Sequence, residues 1–162
     1  MRFLSPKTDF AFKKIFSSEQ SHEILLSFLN AILQLESPYL LADLEILDPY
    51  LSPQIRGMKD TYLHVRTRDK QGKGYIIEML VLNVAGFEKR ILYNAGKTYA
   101  CQIQPGEDDH LLTDMIAITH FVMFEDLLRV VNIFRLRVED GEVCSDDLVL
   151  VFAKLPKFTK TE

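Results

Sequence analysis

Apolar residues recur at helical spacing near the amino end of the chain. In "HEILLSFLNAILQL", Ile24, Leu25, Phe28, Leu29, Ile32 and Leu33 share one face, which predicts an amphipathic helix. Just before it, "TDFAFKKIF" (8–16) predicts a short helix, with Thr8 or Asp9 as N-cap and Phe12, Ile15 and Phe16 facing inward. Pro38, Pro49 and Pro53 then interrupt regular structure, leaving room for a short edge strand in "DLEILDP".

The period then changes from 3.6 to two. In "TYLHVRTR", Leu63 and Val65 alternate with Tyr62, His64, Arg66 and Arg68, which predicts a strand. "DKQGKG" reads as a turn, and "YIIEMLVLNV" as a second strand so continuously apolar that it belongs at the centre of a sheet, covered on both faces. The two predict an antiparallel hairpin. "FEKRILYNAGKTYACQI" predicts a helix with Phe87, Ile91, Tyr99 and Ile103 inward, weakened by Gly96 and ended by "PGEDD". "DMIAITHFVM" predicts a buried strand; "VVNIFRLRV" and "DLVLVFAKL", joined by a turn at "EDGE", predict two more. Helices at the start and middle with a mixed sheet between them make an α/β or α+β domain.

Composition changes this picture little. The 162 residues, 48% hydrophobic and 26% charged, suit one globular domain. No apolar run approaches the roughly 20 residues that span a bilayer. "MRFLSPKTDF" has no stretch long enough for a signal peptide, and Cys101 and Cys144 form no CxxC pair. The expectation is a cytoplasmic protein with two reduced thiols and no membrane partner. Charge is more informative. The segment from Arg56 to Lys97 holds nine Lys/Arg against four Asp/Glu, a net +5, inside a chain whose net charge is −4. That asymmetry points to an anionic partner such as nucleic acid, with Lys59, Arg66, Arg68, Lys89, Arg90 and Lys97 as candidate phosphate contacts. A solvated face of mixed charge is the alternative.

One residue breaks the apolar pattern. Glu78 sits inside "GYIIEMLVLN", and carboxylates are rarely buried unless something pairs with them. Period two puts Ile76, Glu78, Leu80 and Leu82 on one face of the second strand, and Tyr62, His64 and Arg66 on one face of the first. The hairpin brings these faces together, and Asp60 has the same parity. An Asp60, His64 and Glu78 cluster would suit a hard divalent cation such as magnesium or manganese, which activates water against a phosphodiester. The alternative is a salt bridge from Glu78 to Arg90, Lys97 or Lys13. Other chemistries lack their signatures: there is no Gly-rich phosphate loop, HExxH or GxSxG, and Cys101 and His110 lack a third group. His22 and His120 have no evident partners.

Taken in order, these pieces resemble the PD-(D/E)XK nuclease superfamily, in its recombination-promoting nuclease and transposase branch. "SPKTDFAFKKIF" with "LLSFLNAIL" resembles the family's opening helices. "KDTYLHVRTRDKQGKGYIIEML" is similar to its core hairpin, a K-x-x-x-L-D-V strand, a turn and I-E-M-Q. "FEKRILYNAGKTYACQI" resembles the F-x-x-R-x-x-Y-Y helix, and "LPKF" the closing E-L-P-K-F. The resemblance implies a restriction-endonuclease-like core, a mixed central sheet flanked by helices. It also implies DNA as substrate and a metal-dependent endonuclease acting in DNA recombination. In such enzymes an Asp and a Glu hold magnesium or manganese, and a Lys or Gln positions the attacking water. Aligned by motif, the Asp falls on His64 and the Gln on Leu80, so only Glu78 remains of the three. Asp60 stands four residues before His64, about 13 Å along an extended strand. The expectation is a degenerate member, weak or inactive as a hydrolase. Its alternative is a non-catalytic module from a decayed mobile element that binds nucleic acid or associates with itself as a homodimer. The expectation is a single domain over 1–162; the sequence stops soon after "LPKF", where relatives continue, which suggests either a truncated remnant or an artificial boundary.

Overall fold

The computed structural model describes residues 8–16, 18–52, 61–102 and 112–158. Among them are three α-helices: α1 (Asp9–Phe16), α2 (His22–Ile32) and α3 (Phe87–Ala100). The strands are β1 (Leu44–Leu47), β2 (Tyr50–Leu51), β3 (Thr61–Tyr62), β4 (Val65–Asp69), β5 (Gly74–Leu80), β6 (Thr113–Thr119), β7 (Val131–Arg137) and β8 (Val143–Lys154). Six strands form one mixed sheet in the order β1-β4-β5-β6-β8-β7, and β2 pairs with β3 apart from it. β5, β6 and β8 run parallel at its centre, with antiparallel neighbours outside. Parallel neighbours need a long crossover, which α3 supplies between β5 and β6. The fold is α/β, consistent with a restriction-endonuclease-like core.

The helices divide over the two faces. Phe12 of α1 and Leu25 and Leu29 of α2 pack on Tyr75, Ile77, Ile116 and Val151. On the other face, Phe87, Ile91 and Ala95 of α3 pack on Ile76, Leu80, Met115 and Phe152. Each fully buried side chain of this size contributes about 1.5–3 kcal/mol relative to exposure. β5 is therefore sandwiched, as its continuous hydrophobicity predicts. Gly86 starts α3 from φ +80°, a conformation that favours glycine. Gly96 does not interrupt the helix. No helix among the described residues is long and apolar enough to cross a membrane.

Three sequence expectations need correction. The strand expected over "TYLHVRTR" is two: β3 pairs with β2, β4 pairs with β1 and β5, and Leu63 and His64 lie between them. The strand expected over "YIIEMLVLNV" ends at Leu80, because its parallel partner β6 ends opposite it at Thr119 and the His120 N–H then caps the Leu80 carbonyl at 2.9 Å. Val81, Leu82 and Val84 are consequently exposed. His22 does have partners: its Nε2 lies 2.9 Å from the Leu44 carbonyl and 3.1 Å from Asp43 Oδ1, fixing α2 against the start of β1. The edge strand in "DLEILDP" and the turn at "EDGE" are where they are expected, as β1 and the β7–β8 hairpin. That hairpin carries register shifts between Phe134 and Leu136 and between Leu136 and Arg137. Ile103 and the "PGEDD" stop lie outside the described residues.

Candidate functional site

The β4–β5 hairpin places the candidate residues. Asp69 closes its turn, with Oδ1 accepting the N–H groups of Gln71 and Lys73 at 2.9 Å, and Gly72 adopting φ +91°. The resulting register sets Val65 opposite Ile77 and Arg66 opposite Ile76. One step beyond, where the ladder stops, His64 meets Glu78. The expected juxtaposition of these two side chains is present.

Its chemistry is specific. Glu78 is only 2% exposed. Its Oε1 accepts the backbone N–H of His64 at 3.2 Å, and its Oε2 lies 3.7 Å from His64 Nε2 and 3.7 Å from a guanidinium nitrogen of Arg90. The His64 ring reaches the other way, with Nδ1 accepting the backbone N–H of Met79 at 3.0 Å. Glu78 therefore bonds the backbone just ahead of β4, and His64 bonds the backbone of β5. A buried N–H without an acceptor is costly, and these two bonds replace the ladder rungs lost where the chain leaves β4. An Nδ1 that accepts a hydrogen bond carries no proton, so the neutral ring holds its proton on Nε2, turned toward the Glu78 carboxylate.

Asparagine can present Oδ1 near the position of Nδ1. His64→Asn is accordingly expected to stay within about 1 kcal/mol of the parent protein, and His64→Leu to lose about 1–3 kcal/mol by leaving the Met79 N–H unmet. Urea unfolding midpoints compare the two, and equal losses would count against the reciprocal bonds.

The surrounding residues divide. Arg90 comes from the first turn of α3 and stacks over Phe87, its guanidinium carbon 5.5 Å from the ring centroid. Of the salt bridges expected for Glu78, the approach of Arg90 is present. Lys97 is 4% exposed, and its ammonium donates to the Leu51 carbonyl at 2.8 Å and to Thr61 Oγ1 at 3.2 Å. It is turned into the protein, which corrects its placement among surface cations. Lys89 is exposed beside Arg90. Arg68 pairs with Glu45 at 2.6 Å, and Arg66 borders a cleft with Thr98 and Cys101 at the far end of α3. The two groups of cations thus lie toward opposite ends of α3. Asp60 and Lys59 lie outside the described residues.

Leu80, 7% exposed, packs with Phe87 and Ile91 and has no group to orient water. No three His, Cys, Asp or Glu side chains among the described residues converge as a metal site. Magnesium and manganese prefer several oxygen ligands. The described residues bring one carboxylate, already bonded to a backbone N–H, and a ring whose Nδ1 is occupied. Among the described residues that donor set is short of the oxygen ligands a hard divalent cation takes, and Asp60, the third candidate, lies outside them. The backbone N–H of Met79 is the participant that sequence patterning misses, because nothing in a side-chain pattern marks a missing ladder rung.

A family model described as PD-(D/E)XK nuclease family transposase matches residues 6–162. No curated protein and no solved structure matches the chain.

Proposed function

Because the chain belongs to the PD-(D/E)XK nuclease family transposases, we propose that it is a DNA-binding protein of a mobile-element family with little or no hydrolytic activity of its own. The observation that carries this reading is the reciprocal bonding of His64 and Glu78 to the two strand backbones, which occupies groups that a metal-dependent nuclease would leave for its ion. Leu80 supports it, standing where a water-positioning amide is expected. Nucleases of this superfamily generally use divalent metals, and a carboxylate at position 64 would add the second acidic ligand that such an ion needs. Lys89 and Arg90 at one end of α3 and Arg66 and Arg68 at the other would take phosphate contacts.

The test is plasmid nicking with magnesium or manganese. The parent protein is expected to nick no more than a buffer control, and the double variant His64→Asp, Leu80→Gln to gain cleavage that a further Glu78→Ala abolishes. Nicking by the parent that Glu78→Ala removes would overturn the proposal. DNA affinity is expected to fall steeply with salt, since phosphate contacts release counterions. A salt-independent or absent interaction would favour a protein-binding role instead.

A further inference from the structure

One pair of aromatic rings stands outside both cores. β2 and β3 pair through two rungs, Tyr50 with Tyr62 and Leu51 with Thr61, apart from the central sheet. A two-stranded ladder this short is marginal on its own. It is held from beneath. Leu51 and Leu63 are buried in the core under α3, and Lys97 of α3 donates to the Leu51 carbonyl and to Thr61 Oγ1. Alternation along the strands then turns the other rung outward. Tyr62 is 70% exposed and Tyr50 37% exposed, with ring centroids 4.9 Å apart and planes inclined at 37°.

Aromatic residues directly opposite one another support each other across a ladder. Tyr50 lies against one side of the Tyr62 ring, and at 70% exposure the rest of that ring faces solvent. A tyrosine held this way offers a flat apolar face and has little rotamer freedom left to lose on binding. A cation stands beside it. Arg66 Nη1 donates to the carbonyl of Asp48, two residues before Tyr50, at 3.4 Å. The Asp48 carboxylate is turned back on the chain, its Oδ1 accepting the Tyr50 N–H at 2.9 Å. An aromatic face next to a guanidinium matches a nucleotide, whose base stacks and whose phosphate is anionic. In a duplex each base face is covered by its neighbours, so such a platform suits a base that is out of the stack.

We propose that Tyr62, braced by Tyr50, is a stacking platform for an unpaired base of single-stranded DNA, with Arg66 taking the adjoining phosphate. The platform rests on the DNA-binding reading proposed above and specifies which form of DNA is held. The test compares a thymidine oligonucleotide of about 12 residues, within the usual range of single-strand sites, with an abasic strand of the same length that keeps every phosphate but has no bases. By fluorescence anisotropy, the full chain is expected to bind the thymidine strand at least about tenfold more tightly than the abasic one, the gain from stacking one base. Tyr62→Ala is expected to erase that difference, and Tyr62→Phe to keep it. The chain has no tryptophan, so Tyr62→Trp places a single indole reporter on the platform. Its fluorescence is expected to be quenched by the thymidine strand and not by the abasic one. Equal affinity for the two strands, a preference that survives Tyr62→Ala, or an indole that the thymidine strand leaves unquenched would each overturn the platform. If duplex DNA still binds in those cases, the DNA-binding reading stands without it. Absence of binding to any of these DNAs would overturn both.

Discussion

Phe87→Ala is expected to destabilise the protein by about 3–5 kcal/mol, the largest single-site loss anticipated for this fold. Phe87 is 1% exposed, packs in the core between α3 and the sheet, and meets Phe121 edge-on with ring centroids 5.9 Å apart. Truncation removes the contact that seats the start of α3 and leaves a void that the neighbouring strand backbone cannot collapse to fill. The loss should appear as a fall in melting temperature on the order of 10 °C. Phe87→Leu should recover much of it by restoring volume. A loss below about 1 kcal/mol would mean that α3 is not seated as described. Because Arg90 approaches Glu78 from the same first turn, the alanine variant is also expected to weaken that contact.

Lys97→Met should cost about 2 kcal/mol, although it replaces a charged residue by an apolar one of similar length. A buried ammonium is favourable only while its acceptors are in place, and its removal leaves the Leu51 carbonyl and Thr61 Oγ1, its acceptors among the described residues, without that donor. Relief of the ammonium's desolvation offsets part of the loss, which keeps the figure moderate. Lys97 also joins α3 to both strands of the β2–β3 pair. The variant should therefore lower the urea midpoint, and hydrogen exchange should show faster opening at Leu51 and Thr61 than in the central sheet. An unchanged midpoint would count against the buried placement of Lys97. If the loss appears while DNA affinity is unchanged, the residue is structural and not a phosphate contact.

Much of the fold is legible in the sequence because two periodicities carry it. Helical spacing marks α2, and uninterrupted apolarity marks β5 as central. The break between β3 and β4 is not legible, and the burial of its residues explains why. Thr61, Leu63, Val65 and Thr67 are all buried, so alternation continues undisturbed through the point where the chain changes ladders. Side-chain pattern records which face is inside, not which strand a backbone bonds. Glu78 and His64 could be placed together for the same reason, since parity and a hairpin suffice. The burial of Lys97 is not legible, because composition counts a cation without showing which way it turns on the helix. The burial of Asp114, 4% exposed and paired with Lys73 at 2.8 Å, was within reach of the rule that singled out Glu78. It too is a carboxylate in an apolar run, "TDMIAIT", but it stands next to the strand's first residue, where an acid reads as a boundary.

The free margins of the sheet bear on how molecules of this protein meet one another. β1 forms one margin and is only four residues long. β7 forms the other, and the register shifts that kink its pairing with β8 coincide with Arg135 and Arg137. Short, bent and cationic borders are poor templates for adding a strand from another copy. Growth of this sheet from chain to chain is thereby discouraged.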